Sequence, residues 1–322
     1  MGSAPARRTQ SAELKSMIEA VPNISEGRDR DTIDAIASAI RKTRHVHLLN
    51  VSSDVDHNRS VFTYISENAE AIQKATLALY RIAVDQIDLQ HHRGEHPRAG
   101  AVDVCPFVPL RGTEMLQCMA LAERVAAEVA ERFKLPVYLY EYAAKADYRR
   151  ELPAIRSGGF ENFPEKIKDP RWQPDYGPAT VHPTAGVTII GARVPLIAFN
   201  VQLGTDRIDI AEKIARAVRG VSGGLRFVRA LPIRLKHRGA VQVSMNLLDY
   251  RKTPIHRAFS IVRDEAARWG VDIVSTEIVG LIPADALYAF AEWHLKIENF
   301  QPGLVLERRI NEVLKETREK KK

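Results

Sequence analysis

Apolar residues recur along this chain with two different periods. Ile33, Ile36, Ala37 and Ile40 fall at i, i+3, i+4 and i+7, and Ala71, Ile72, Ala75 and Leu79 share one helical face. Such spacing predicts helices, the first capped by Asp31 or Thr32, the second over Asn68 to Val84. A third helix runs from Thr113, with Cys118, Leu121, Ala122, Val125 and Val129 turned inward. Between them, short β-rich runs predict strands at Met17 to Val21, His45 to Val51, Ser60 to Ile65, Ala101 to Leu110 and Pro136 to Tyr140. The order is β-α-β-β-α-β, followed by a further helix and strand.

The same order returns from about Pro195. Strands are predicted at Leu196 to Gln202, Leu225 to Leu231, Ala240 to Leu247 and Val271 to Leu281. Helices run from Asp206 to a stop at Gly220, from the cap and first-turn proline Thr253-Pro254, and from Pro283. Two such units predict an α/β (α+β) fold of two ferredoxin-like halves, with a groove between them as a place for a ligand. The divisions expected are a disordered tail over residues 1–16, one subdomain over 17–194 and another over 195–322. The segment from Gly158 to Gly186 has little periodicity. Its Phe160, Phe163, Trp172 and Tyr176 predict an ordered stretch that covers a ligand.

Composition narrows the class. The chain has 322 residues, 45% hydrophobic and 27% charged, as in soluble enzymes. No apolar run reaches the roughly 18 residues of a membrane span, and the start lacks the apolar stretch of a signal peptide. The two cysteines, Cys105 and Cys118, read as reduced and buried, which points to the cytoplasm. The net charge of +7 would suit nucleic acid or an anionic small molecule. Part of it sits in the ends, at Arg7, Arg8, Lys315, Arg318, Lys320, Lys321 and Lys322. Aromatics are only 7% and form no basic-aromatic ladder, so the expectation is no nucleic acid and no membrane partner. Neither GxGxxG nor GxxxxGK[ST] occurs, so no nucleotide cofactor is expected.

The candidate chemistry gathers at Arg93-Gly94-Glu95-His96-Pro97-Arg98. Glycine and proline forbid a helix there and fix a shaped loop before a strand. His96 is the natural proton carrier near neutral pH, and Glu95 could orient it or touch substrate. His91, His92, His96 and His57 raise a metal as a competing idea. Gly94 and Pro97 break any helix that would align ligands, and no Cys pair or HExxH exists, so no metal is expected. In the loop Asp54-Val55-Asp56-His57-Asn58-Arg59, Asn58 and Arg59 could hold a carboxylate; a plain hairpin loop would also read this way. The segment Gly177-Pro178-Ala179-Thr180-Val181-His182-Pro183-Thr184-Ala185-Gly186 could offer backbone groups to a flat heterocycle, or be a connector. Gln242, Ser244 and Asn246 alternate with apolar residues and could line a pocket, or face solvent.

Several of these strings, in this order, resemble the glutamate formimidoyltransferase (formiminotransferase) family. They are Val21-Pro22-Asn23-Ile24-Ser25-Glu26-Gly27, Arg93-Gly94-Glu95-His96-Pro97-Arg98, Asp103-Val104-Cys105-Pro106-Phe107, Val137-Tyr138-Leu139-Tyr140, Leu152-Pro153-Ala154-Ile155-Arg156, and Gln242-Val243-Ser244-Met245-Asn246-Leu247-Leu248-Asp249. The resemblance covers about Met17 to Asn299. It implies transfer of a formimidoyl group from N-formimidoyl-L-glutamate to tetrahydrofolate as co-substrate, in histidine degradation. It implies two subdomains around a substrate tunnel, a homodimer, and a product passed to a separate cyclodeaminase. It makes His96 the acid/base and Gly177 to Gly186 the folate loop, with His182 and Ala185 departing from some members. Substrate and folate carboxylates should then meet Arg59, Arg98 and Arg193. Formyl transfer from N-formylglutamate and a non-catalytic basic binder are the alternative readings.

Overall fold

The structure, a computed structural model, describes residues 16–319; the tail expected over residues 1–16 lies outside them save for Ser16. Its contacts separate two compact units, one ending at Val194 and the other beginning at Pro195.

In the first unit the elements run β1 (Ile18–Ala20), β2 (Asn23–Ile24), α1 (Arg30–Lys42), β3 (His47–Asp54), β4 (Arg59–Ser66), α2 (Ala69–Gln86), β5 (Val102–Pro109), α3 (Met115–Phe133), β6 (Val137–Glu141), α4 (Leu152–Arg156), α5 (Gly159–Lys166) and β7 (Thr188–Ala192). β1 and β2 are one strand broken at Val21-Pro22. It pairs antiparallel with β4 on one side and β5 on the other, and β3 closes the far edge of β4. That order is ferredoxin-like. β7 then adds parallel to β5, and β6 parallel to β7. α1, α2 and α3 pack on one face around Ile36, Tyr64, Tyr80, Phe107 and Leu121.

The opposite face is covered over β5, β7 and β6 by a second layer. There α4, α5 and the segment after them seal Val104, Tyr138, Ile155, Phe163 and Ile189. The second unit runs β8 (Ile197–Leu203), α6 (Ile208–Val218), β9 (Val228–Leu235), β10 (Ala240–Leu247), α7 (Ile255–Arg268), β11 (Ile273–Val279), α8 (Ala284–Leu295) and α9 (Leu306–Glu319). Its sheet has the order β11-β8-β10-β9, antiparallel throughout. Its core lies between that sheet and the buried residues of α6 and α7.

Several expectations need correction. Asp29, not Asp31 or Thr32, caps α1, accepting from the Asp31 N–H. β7 was not expected. Its Thr188-Ile189-Ile190-Gly191-Ala192 is buried on both faces, so it shows no alternation to read. The stretch Gly158 to Gly186 contains α5, and its aromatics pack on the sheet instead of standing over a ligand. Phe163 is sealed against Tyr138, and Tyr176 pairs its backbone with Val137. β9 begins three residues later than expected and ends at Leu235. Of the basic residues near the C-terminus, Lys315 and Arg318 fall within α9, and residues 320–322 lie outside the described residues. Among the described residues no helix is long and apolar enough to cross a membrane.

Candidate active site

Beside that layer, on the same face of the first sheet, charged side chains gather over β2, β4 and the start of β5. On β4, Phe62 and Tyr64 point into the helical core, which turns Arg59 to the other face. On β2, Ile24 points inward and Asn23 outward. Asp103 joins them through an irregularity. Between Asn23 and Ile24 the register on β5 jumps from Val104 to Val102. Asp103 thus has no partner across the ladder, as in a β-bulge, which re-aims a side chain.

Arg59 is the hub. Its Nε and Nη2 donate to Asn23 Oδ1 at 3.0 and 2.9 Å. Its Nη1 donates to Asp103 Oδ2 at 2.8 Å and lies 3.0 Å from His96 Nδ1. Arg156, the last residue of α4, donates from Nη2 to the same Asp103 oxygen at 2.6 Å. The Ala99 N–H holds the other oxygen at 2.9 Å. Burial pushes the Asp103 carboxyl up, but Arg156, Arg59 and the Ala99 N–H outweigh it and hold it below its usual range. Burial pulls the Arg59 guanidinium down to about 10, against Asp103; it stays charged at neutral pH.

His96 is partly buried. Burial, then Arg59 and Arg156, hold its ring well below the usual imidazole range, so it is neutral at pH 7. Its Nδ1 has two neighbours that demand opposite states. Arg59 can only donate to it, whereas the Pro97 carbonyl, at 2.8 Å, can only accept from it. With the proton on Nδ1, the ring leans on Pro97 and Nε2 keeps a lone pair. With the proton on Nε2, Nδ1 accepts from Arg59. Among the described residues no hydrogen bond is made to Nε2. The His57 ring lies 5.7 Å away, centroid to centroid.

Glycine lets this loop approach its neighbour. A Cβ on Gly94 would stand 2.3 Å from the His57 carbonyl oxygen. Asn58, in the left-handed region at φ 47°, stitches the loops together. Its Oδ1 accepts from the Gly27 N–H at 2.9 Å, its Nδ2 donates to the Arg93 carbonyl at 3.1 Å, and its own carbonyl contacts His92 Nε2 at 2.9 Å. Glu95 is fixed through its N–H on the Asp56 carbonyl.

The segment Gly177 to Gly186 is brought against this loop. The Leu89 N–H donates to the Thr184 carbonyl at 2.8 Å, Gln90 Nε2 to that of Pro183 at 3.0 Å, and the Ala101 N–H to that of Ala185 at 2.9 Å. The Val187 N–H returns to the Ala99 carbonyl at 3.0 Å. His182 Nδ1 accepts from the Ala185 N–H at 3.0 Å and shapes the turn. Ala185 and Gly186 are buried, whereas Gly177, Ala179, Thr180 and Pro183 are exposed; Pro178, Val181, His182 and Thr184 lie between.

The remaining candidates scatter. Arg98 donates from Nη2 to Glu161 Oε1 at 2.9 Å and to the His92 carbonyl at 3.1 Å. Arg193 stands beside Tyr140, whose phenol burial pushes up to about 12 against that guanidinium. Tyr140 also acts on Arg59, so the two arginines flank it. Gln242 and Asn246 lie on β10 of the other unit, on the face away from its core, Gln242 buried and Asn246 partly so. Asn23, Asp103 and Arg156 had no assigned role in the sequence. The signal available was Asp103 itself, a carboxylate inside an otherwise apolar strand, which requires a partner when buried. Among the described residues, no group of three or more His, Cys, Asp or Glu is placed to hold a metal ion.

Comparison with known proteins gives matches along nearly the whole chain. The formiminotransferase domain, N-terminal subdomain, matches residues 17–193, and the formiminotransferase domain matches residues 198–317. A glutamate formimidoyltransferase of Thermoplasma acidophilum is 48% identical over 297 residues, 92% of this chain and 97% of that protein. One of Streptococcus pyogenes serotype M1 is 43% identical over 287 residues, 89% of this chain and 96% of that protein. A formimidoyltransferase-cyclodeaminase of Rattus norvegicus is 39% identical over 287 residues, which span 87% of this chain and 53% of that longer protein.

Proposed function

The chain belongs to the formiminotransferase family, and on that premise we propose that it moves the formimidoyl group of N-formimidoyl-L-glutamate to tetrahydrofolate, with His96 as base and then acid. The products are 5-formimidoyltetrahydrofolate and L-glutamate, a one-carbon step in histidine degradation. The observation that carries this reading is a neutral imidazole, held by Nδ1 between Arg59 and the Pro97 carbonyl, with no hydrogen bond to Nε2 among the described residues.

The chemistry asks for little more. A secondary amine of the acceptor attacks the formimidoyl carbon, and a new N–C bond forms. Nε2 takes the proton that this nitrogen sheds. The tetrahedral intermediate collapses when the same proton passes to the glutamate nitrogen, whose C–N bond then breaks. One base returning its proton contributes about 10²- to 10⁴-fold. Glu95, next in sequence, orients the amidine or the ring. Gly177 to Gly186 receives the pterin. Arg98 and Arg193 take substrate carboxylates, while Arg59 and Asn58 hold the site together through side chains engaged within the protein. Gln242 and Asn246 add amide contacts from the second subdomain.

The reading includes a cytoplasmic homodimer whose product goes on to a separate cyclodeaminase. Exposed apolar side chains on α8 and α9, among them Leu287, Trp293, Leu295, Ile310 and Leu314, support self-association. Two free, buried cysteines support a reducing compartment. The test is an absorbance assay with tetrahydrofolate and N-formimidoyl-L-glutamate, run beside N-formylglutamate. Turnover with the first donor is expected. Turnover with the formyl donor alone would replace the donor, and turnover with neither would remove the assignment.

A further inference from the structure

The imidazole is backed by more positive charge than its own loop supplies. Arg59 Nη1 is shared between His96 Nδ1 and Asp103 Oδ2, and Arg156 Nη2 holds that same oxygen. One fully buried carboxylate therefore serves two guanidiniums whose side chains are 12% and 10% exposed. Among the described residues the third titratable group that acts on the ring is His57 from the β3–β4 loop, 5.7 Å away; Glu95 is next to it in sequence, and Arg98 on the same loop is paired with Glu161 of α5.

Arg156 is delivered to this place by a helix too short to hold itself. α4 has five residues, and Lys166 at the end of α5 fastens its C-terminus. Lys166 Nζ donates to the carbonyls of Ala154 at 2.8 Å, Ile155 at 2.7 Å and Ser157 at 3.2 Å. The ammonium also sits 4.0 Å from the centroid of the Trp172 ring. A specific clamp on a one-turn helix that ends in a buried arginine points to a role for that arginine beyond filling space.

We propose that Arg156 is a positioning residue for the proton transfer: through Asp103 it fixes Arg59 against His96, and the two guanidiniums together make the doubly protonated ring short-lived. The inference rests on the reading of His96 as base and acid. In that cycle the proton leaves the acceptor nitrogen, rests on Nε2, and must end on the glutamate nitrogen before its C–N bond can break. An amine departs poorly until protonated, so the step needs a strong acid. A ring crowded by two like charges gives its proton away readily.

The test follows the ring directly. Imidazole ¹H–¹⁵N correlation spectra of the free protein are recorded against pH for the wild type, Arg156→Gln, Arg156→Lys and Lys166→Met, with steady-state kinetics beside them. Arg156→Gln should raise the His96 midpoint by about one pH unit and lower kcat about tenfold or more, with less than a threefold change in KM. Arg156→Lys should restore the midpoint, since it restores the charge. Lys166→Met should move the midpoint in the direction of Arg156→Gln by a smaller amount, which keeps the idea testable if Arg156→Gln does not fold. An unmoved midpoint in both Arg156→Gln and Lys166→Met would overturn the inference, as would a raised KM with kcat intact. A midpoint that moves in a protein without formimidoyl transfer would sustain the brace and remove only the assigned reaction.

Discussion

The two units share one ferredoxin-like strand order and differ in what the sheet faces turned away from their helices carry. In the second unit β8 and β10 pair without interruption from Ile197 to Leu203. Alternation then places Asn200, Gln202, Gln242, Ser244 and Asn246 on one face, with Arg229 of β9 across from Asn246 and Glu277 of β11 across from Asn200. In the first unit the register slips at Asp103, and that face gathers Arg59, Asp103, Arg156 and His96. The difference teaches that the scaffold is indifferent to chemistry. In the second unit the charges stand apart among amides, whereas in the first one unpaired residue and an added layer of short helices gather a buried charge cluster beside His96.

The comparison is broken most severely at His96. His96→Ala should fold as the wild type does and lose about 10²- to 10⁴-fold in kcat, read in the absorbance assay, with thermal melting as the control. Near-normal turnover would move the chemistry away from this face. Gly94→Ala follows. Its Cβ has no room against the His57 carbonyl, and a loop shifted by about 1 Å should cost about 100-fold in kcat/KM. Asp103→Asn should act on stability as well. It strips two buried guanidiniums of their carboxylate, and urea unfolding should report a loss of about 3 to 5 kcal/mol. An equivalent change on the second unit's face should be mild: Gln242→Ala should raise KM roughly 2- to 10-fold, the worth of one hydrogen bond.

Acidity sharpens the same contrast. Burial, followed by Arg59 and Arg156, lowers the pKa of His96, and burial lowers that of His92. As pH falls through about 6.5 the unfolded chain takes up these protons while the folded one does not. The stability they contribute is complete above that pH and is lost as pH falls toward the folded values. Thermal melts at pH 7.5 and 5.0 should therefore diverge, and His96→Gln should narrow the gap. An unchanged gap would mean that His96 is not held neutral.

Much of this was legible in the chain. The periods of Ile33 to Ile40 and of Val241 to Leu247 placed α1 and β10, and the glycine and proline around Glu95 and His96 marked the loop. What was not legible depended on long-range placement. Arg59 looked like a free fork for a ligand, because nothing local says that Asn23, 36 residues away, would occupy two of its donors. Arg156 reads as an ordinary helix end, and only folding carries it to Asp103. β7 escaped because a strand buried on both faces has no polar beat. Asp103 could have been flagged by its charge in an apolar run, but the bulge that aims it is invisible in sequence.

The hydrogen bonds between residues 89–101 and 182–187 tie two chain segments nearly a hundred residues apart into one seam. Strain applied to the exposed tip at Gly177 to Thr180 cannot dissipate locally, since the backbone just beyond it is anchored on both flanks of the reactive loop. The seam and the loop that carries His96 therefore form one continuous piece of backbone, and a substitution in either is felt in both.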